Sequence, residues 1–188
     1  EARGGRESGG GGFVETSGKR VFEIGAAPDV GAANGRAGTW TIDPNNITIQ
    51  DNAGAHVQID DTGDPWVSQD DGAVVDATLL VTALNLGTAV HIQTQAAGAD
   101  MEDGDILVQD AIAWNSAGGL TLEAHNDIFI NAAVANAGAG NLDLIADSDG
   151  NAAGNVEIGA DITLAGSLTA SGFDIVNDAS AAAAGNVT

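Results

Sequence analysis

Short runs in which apolar and polar residues alternate fill most of this chain, and the clearest of them recur. DILVQDAIAWNSAGGLTL, Asp105 to Leu122, returns as DIFINAAVANAGAGNLDL, Asp127 to Leu144, and in shortened form as DITLAGSLTASGFDI, Asp161 to Ile175. Each copy opens on Asp and alternates at once: Ile106 and Val108, Ile128 and Ile130, Ile162 and Leu164. Each then places a branched apolar residue (Ile112, Val134, Leu168) and crosses a turn of small residues. Each ends on a second alternating pair: Leu120 and Leu122, Leu142 and Leu144, Phe173 and Ile175. The starts lie 22 and then 34 residues apart, as stacked coils of varying turn length would. Alternation with period two predicts strands with one buried face. Strands this short, joined by Gly, Asn, Asp and Ser, leave no room for a crossover helix. None can bury its apolar face alone, but equivalent strands stacked from successive coils can. The predicted fold is all-β, a parallel β-helix (β-solenoid) in one domain.

The same alternation runs upstream. GGFVETSGKRVFEIG, Gly11 to Gly25, predicts two strands split by the Ser17-Gly18 turn. GTWTIDPNNITIQDN, Gly38 to Asn52, predicts two more around Asp43-Pro44-Asn45-Asn46, because Pro44 has no N–H for a ladder and belongs in a turn. His56 to Asp71 reads as a strand and an acidic turn. Val74 to Gly87 is the most continuously apolar stretch. Its spacing allows a short helix, but Thr78, Thr82 and the lack of evident caps favour a strand. Ala89 to Gln95 alternates cleanly and reads as a strand. Residues 1–12 are a Gly-rich lead-in that alone reads as a flexible linker, and 13–175 carry the coils. Residues 176–188 are an Ala-rich tail, either helical, frayed or the start of another coil.

GGFVETSG, a small-residue spacer and GTWTIDPNNITI, followed later by AIAWNSAGGLTLEAHNDIFINAAVANAGAGNLDLIA, together resemble the repeat body of the filamentous-haemagglutinin-type exoproteins. These are the adhesins of two-partner secretion, and the resemblance covers most of residues 11–175. It implies a segment of a long right-handed parallel β-helix, secreted to the surface of a Gram-negative-type bacterium. The implied partners are a host or neighbouring cell surface or its glycans, with an outer-membrane transporter serving the full-length exoprotein. The family's N-terminal secretion domain and export signal have no counterpart here, so the chain reads as a piece of an exoprotein or a shortened relative. The resemblance also implies that residues 1–12 are ordered, since similar ARGG runs lie inside the family's helix.

Composition narrows the function. All five basic residues (Arg3, Arg6, Lys19, Arg20, Arg36) fall in the first 36 positions, and from Ala37 onward there are 22 acids and no Lys or Arg. Nothing there neutralises phosphates, which argues against nucleic acid as a partner. Anionic membrane surfaces are equally poor partners, and no run of about 18 apolar residues predicts membrane insertion. The N-terminus lacks the apolar stretch of a signal peptide. An acidic surface keeps a fibre-like protein soluble, or binds divalent cations, or suits high salt. There is no cysteine, hence no disulfide or thiolate site.

Candidate chemistry is sparse. Parallel β-helix enzymes that act on acidic polysaccharides need carboxylates beside an Arg, Lys or His. From Ala37 onward only His56, His91 and His125 qualify, with no shared motif around them. The expectation is therefore no enzyme. Calcium wants several carboxylate and carbonyl oxygens around a sharp turn. Asp60-Asp61-Thr62-Gly63-Asp64, Asp100 to Asp105 and Asp147-Ser148-Asp149-Gly150-Asn151 are acidic turns. The last resembles half of a calcium loop, which makes Asp147, Asp149 and Asn151 a candidate calcium site, against the simpler reading of a solvated turn. Asn131, Asn136, Asn141 and Asn155 sit where side-chain amide ladders between coils would form. Trp40, Trp66 and Trp114 fill the core or, alternatively, stack on carbohydrate.

The functional expectation is a structural, adhesive rod. At about 20 residues per coil and about 4.8 Å per coil it would be roughly 45 Å long. The alternative is a subunit of an extracellular filament that stacks head to tail; a polysaccharide-active enzyme ranks third.

Overall fold

In a computed structural model the chain is described over residues 1–17, 24, 26–43, 46–51, 59–60, 67–68, 73–94 and 102–187. The first elements are β1 (Phe13–Ser17), β2 (Thr39–Asp43), β3 (Ile47–Gln50), β4 (Ile59–Asp60), β5 (Val67–Ser68) and β6 (Ala73–Asp76). Then come α1 (Ala77–Asn85), β7 (Ala89–Gln93), β8 (Ile106–Val108), β9 (Ile112–Trp114), β10 (Leu120–Glu123), β11 (Ile128–Ile130) and β12 (Val134–Asn136). The last are β13 (Leu142–Ile145), β14 (Asn155–Ile158), β15 (Ile162–Leu164), β16 (Leu168–Ser171), β17 (Asp174–Asn177) and β18 (Ala181–Ala183).

Three of the sheets are parallel. The first runs β1-β2-β7-β10-β13-β16, the second β6-β3-β8-β11-β14-β17 and the third β9-β12-β15-β18. From β7 onward the chain visits first, second and third sheet in fixed rotation. The fold is thus mostly β-strand, parallel and solenoid-like. The pair β4 and β5 is antiparallel and separate.

Period-two alternation explains the core. Along β3 and β6 to β15 every second side chain points inward, and the register aligns these inward residues across coils. In the second sheet Ile47, Ile106, Ile128 and Val156 form one column and Ile49, Val108, Ile130 and Ile158 the next. All of these are buried. In the first sheet Trp40, Val90, Leu120, Leu142 and Leu168 line up in the same way. At about 4.8 Å between strands, six strands make a stack roughly 25 Å tall. This is shorter than the 45 Å expected, because loops and a helix take up residues that a 20-residue coil would leave for strands.

Copies one and two of the repeat stack as read: Ile106 pairs with Ile128, Ile112 with Val134 and Leu120 with Leu142. The third copy is displaced by one face. Ile162 and Leu164 pair with Val134 and Asn136 in the third sheet, whereas the partners of Ile128 and Ile130 are Val156 and Ile158. Leu168 correspondingly joins the first sheet and Ile175 the second. The loop Asp147–Gly154 between β13 and β14 lengthens that coil, and the strand triplets of all three sheets carry the same apolar-polar-apolar code.

The strand expected over Val74–Gly87 is also corrected: only β6 is strand and α1 follows. Asp76 is the N-cap that the sequence reading missed. Its Oδ1 accepts the N–H of Thr78 at 2.8 Å and of Leu79 at 3.4 Å, and the Thr78 hydroxyl as well. Ala77, Leu80, Ala83 and Leu84 form the buried stripe, and Gly87 at φ 82 leaves the helix in the left-handed region. Helix α1 packs against β9, β7 and β6, where a further strand of the third sheet would otherwise stand. Asp76→Ala is expected to cost about 1 kcal/mol of unfolding free energy, read by urea denaturation with circular dichroism.

The two ends have clear roles. Ala2 N–H donates to Asp29 O, Gly4 N–H to Gly31 O and Gly12 N–H to Ala2 O, so residues 1–12 form a layer against the 29–38 loop. At the other end β18 joins the third sheet and Val187 bridges to Leu168 in parallel. The described tail thus continues the parallel stacking.

Candidate functional site

The corner between the first and second sheets concentrates polar side chains. The strand ladders leave N–H groups unpaired where the chain turns, and a buried amide without an acceptor is costly. Several are met by a side chain from the adjacent coil, others by a backbone carbonyl such as Gly104 O for Asn126 N–H. Asn46 Oδ1 accepts the N–H of Gly104 (2.8 Å) and Asp105 (2.7 Å). Asp105 Oδ1 accepts Asp127 N–H at 3.1 Å and Asn126 Nδ2 at 2.8 Å, and Asp127 Oδ1 accepts Asn155 N–H at 2.7 Å. At another turn, buried Asn136 donates Nδ2 to Gly140 O (2.9 Å) and accepts Gly138 N–H (2.9 Å) on Oδ1. Asn141 Oδ1 accepts Ser167 N–H at 3.0 Å. Of the asparagines expected to form amide ladders, Asn136 and Asn141 bond to backbone groups rather than to one another, and Asn155 takes part through its N–H. Aspartate serves at these turns as well as asparagine, because only an acceptor is required.

The acidic turns differ in how they are held. Asp147 (φ 54) accepts Ala152 N–H on Oδ1 at 3.1 Å, and Asp149 accepts Asn151 N–H at 3.2 Å and Asn151 Nδ2 at 2.9 Å. Asp149 Oδ2 also meets His125 Nε2 at 3.3 Å. Asp147, Asp149 and Asn151 thus share one loop, with Asp147 Oδ1 and both Asp149 oxygens turned onto the loop's own N–H groups. Among the described residues no group of three or more His, Asp and Glu side chains is placed to hold a metal ion. In the Asp100–Asp105 turn, Glu102 is buried and its Oε2 accepts Asn46 N–H at 3.2 Å; Asp100 lies outside the described residues. So does the Asp60–Asp64 turn beyond Asp60.

The other candidates separate. His91 Nε2 lies 2.9 Å from Glu123 Oε2, joining β7 to β10. His91 and His125 thus each have a carboxylate partner of their own; His56 lies outside the described residues. Trp40 is fully buried with its Nε1 donating to Thr16 Oγ1 at 3.2 Å. Trp114 is buried with its Nε1 donating to Gly118 O at 2.8 Å. Both fill the core and neither presents a face to a sugar; Trp66 lies outside the described residues. In the register Trp114 aligns with Asn136 and Leu164.

A concave feature appears that the sequence reading missed. An open groove of about 630 Å³ lies between the 32–37 loop, the outer face of β2 and β7, and the end of α1. Arg36, Thr39, Leu86 and Ala117 line it. No local motif signals it, since its walls come from distant parts of the chain and one is the C-terminal end of a helix read as a strand.

No protein-family model, curated protein or solved structure matches this chain.

Proposed function

We propose that this chain is a rigid structural segment of a secreted, surface-associated exoprotein of the filamentous-haemagglutinin type, built as a right-handed parallel β-helix. Its work is to hold a binding surface away from the cell and display it to a neighbouring cell or its glycans. It performs no chemistry of its own. The observation that supports this most is the continuous register: inward columns such as Ile47, Ile106, Ile128 and Val156 repeat from coil to coil without a slip. Such stacking extends by adding coils and needs no new core design. The acidic outer surface keeps the rod soluble. An outer-membrane transporter would serve the full-length exoprotein.

The second reading is a filament subunit. Ile175 continues a column of buried residues yet is 45% exposed, and Val176 beside it is 39% exposed. A further coil or a second copy covers that level.

Beads coated with the purified chain are expected to adhere to epithelial cell layers, bare beads not. Adhesion no greater than that of bare beads sinks the adhesive reading. Negative-stain electron microscopy, with calcium and with chelator, is expected to show short single particles in both. Long fibres would favour the filament, and fibres lost on chelation would make the acidic turns cation bridges.

A further inference from the structure

We propose that the groove between the 32–37 loop and the end of α1 binds an acidic sugar, with Arg36 receiving its carboxylate. The inference rests on the adhesive reading and names the ligand class that reading leaves open.

The chain carries 27 Asp and Glu against five Lys and Arg, yet no carboxylate lines this groove among the described residues. Arg36 is the one charged residue among the described residues that line it. Arg3, 33 positions before it, is held by Asp29 at 2.7 Å. Among the described residues the Arg36 side chain has no hydrogen-bond or ion-pair partner. A guanidinium presents a planar fork of donors that fits a carboxylate with two parallel hydrogen bonds.

The remaining walls suit a sugar ring. Leu86 is 46% exposed, a large apolar side chain beside the groove, and offers contact to ring C–H groups. Ala89 and Ala117 have short side chains and leave room. The Thr39 hydroxyl donates and accepts, as a ring hydroxyl requires. A volume of about 630 Å³ lies in the range of small-molecule sites.

Charge restricts the ligand further. The net charge of −22 repels polyanions, while a lone carboxylate within contact distance of Arg36 is screened from the more distant acids over about 8 Å at physiological salt. The site therefore fits an isolated uronic-type residue on an otherwise neutral glycan, and disfavours a heavily sulfated chain.

The test is a titration of the full-length ¹⁵N-labelled chain with glucuronate, glucose and acetate, followed by amide shifts. Glucuronate is expected to shift Gly35, Arg36, Thr39 and Gly87 saturably, with glucose and acetate each at least tenfold weaker. Arg36→Gln is expected to weaken glucuronate at least tenfold with an unchanged circular dichroism spectrum, and Arg36→Lys to weaken it less. Acetate binding as tightly as glucuronate reduces the site to an anion contact and overturns the sugar assignment. Unchanged affinity in Arg36→Gln, or no shift with glucuronate, overturns the site. If coated beads still adhere while glucuronate fails to bind, only this inference falls. If glucuronate binds and the beads do not adhere, the adhesive reading falls and the site stands.

Discussion

Ile128→Ala is expected to lower the unfolding free energy by about 2–5 kcal/mol, whereas Phe129→Ala next to it is expected to cost about 1 kcal/mol or less. Ile128 is fully buried in the middle of the second sheet, with Ile106 on one side and Val156 on the other. Truncation removes the transfer energy of its methyl and methylene groups and leaves a cavity between two coils whose spacing is set by backbone hydrogen bonds. Those coils cannot collapse inward without breaking the ladder, so the cost belongs in the upper half of the range. Phe129 points to the outer face, and its larger side chain is only partly buried. Urea denaturation of both variants, read by far-UV circular dichroism, makes the comparison. Equal losses would mean that the inward and outward faces of β11 are wrongly assigned, and with them the coil register of the second sheet.

Gly140→Val is expected to be nearly as damaging, at about 3 kcal/mol, for the opposite reason. A Cβ on Gly140 would lie 2.0 Å from Gly118 O in the neighbouring coil, and one on Gly166 would lie 2.3 Å from Gly140 O. These glycines stack where the chain passes from the third sheet to the first, so the coils touch backbone to backbone. The obstructing atom is a carbonyl in the scaffold itself, which cannot rotate away as a side chain would, and overpacking of this kind costs at the top of its usual range. Gly159→Ala is the control. Its nearest neighbour is Ile130 O at 3.5 Å, an ordinary contact, so alanine there is expected to be neutral or to stabilise by about 0.5 kcal/mol through the unfolded chain. If Gly140→Val unfolds no more easily than Gly159→Ala, the close approach of adjacent coils at that corner is wrong. Thermal unfolding followed by circular dichroism reads both.

These two sites show what was readable in advance. The inward positions of β8, β10, β11 and β13 were legible because alternation marks a half-buried strand whatever its partner. So was the 22-residue offset that stacks Ile106 on Ile128. The closeness at Gly140 was not, since a glycine in a turn reads the same whether it supplies freedom of φ or merely space. The candidate calcium loop was legible as a cluster of acids. The direction of its oxygens, with Asp147 and Asp149 turned toward Ala152 and Asn151, depends on left-handed backbone angles at Asp147 and Ala152 that no local residue pattern announces.

Strand-rich structure, one buried face per strand and parallel stacking of the coils are written in the local pattern. Those properties follow from period-two patterning and from connections too short for a crossover helix. The sequence likewise sets an acidic body with its cations confined to the first 36 residues. Which sheet each strand joins depends on long-range pairing, because apolar triplets of all three sheets are interchangeable in pattern and nothing local distinguishes them. Ile162 could be placed with Val134 rather than Ile128 only after the Asp147–Gly154 loop had lengthened its coil. Tertiary structure also decided α1. Thr78 and Thr82 weaken its propensity, and packing against β9 with the Asp76 cap outweighs that local preference. The same packing brings Leu86 and Arg36 to one groove, a juxtaposition of residues 50 positions apart that exists only once the helix has closed the end of the third sheet.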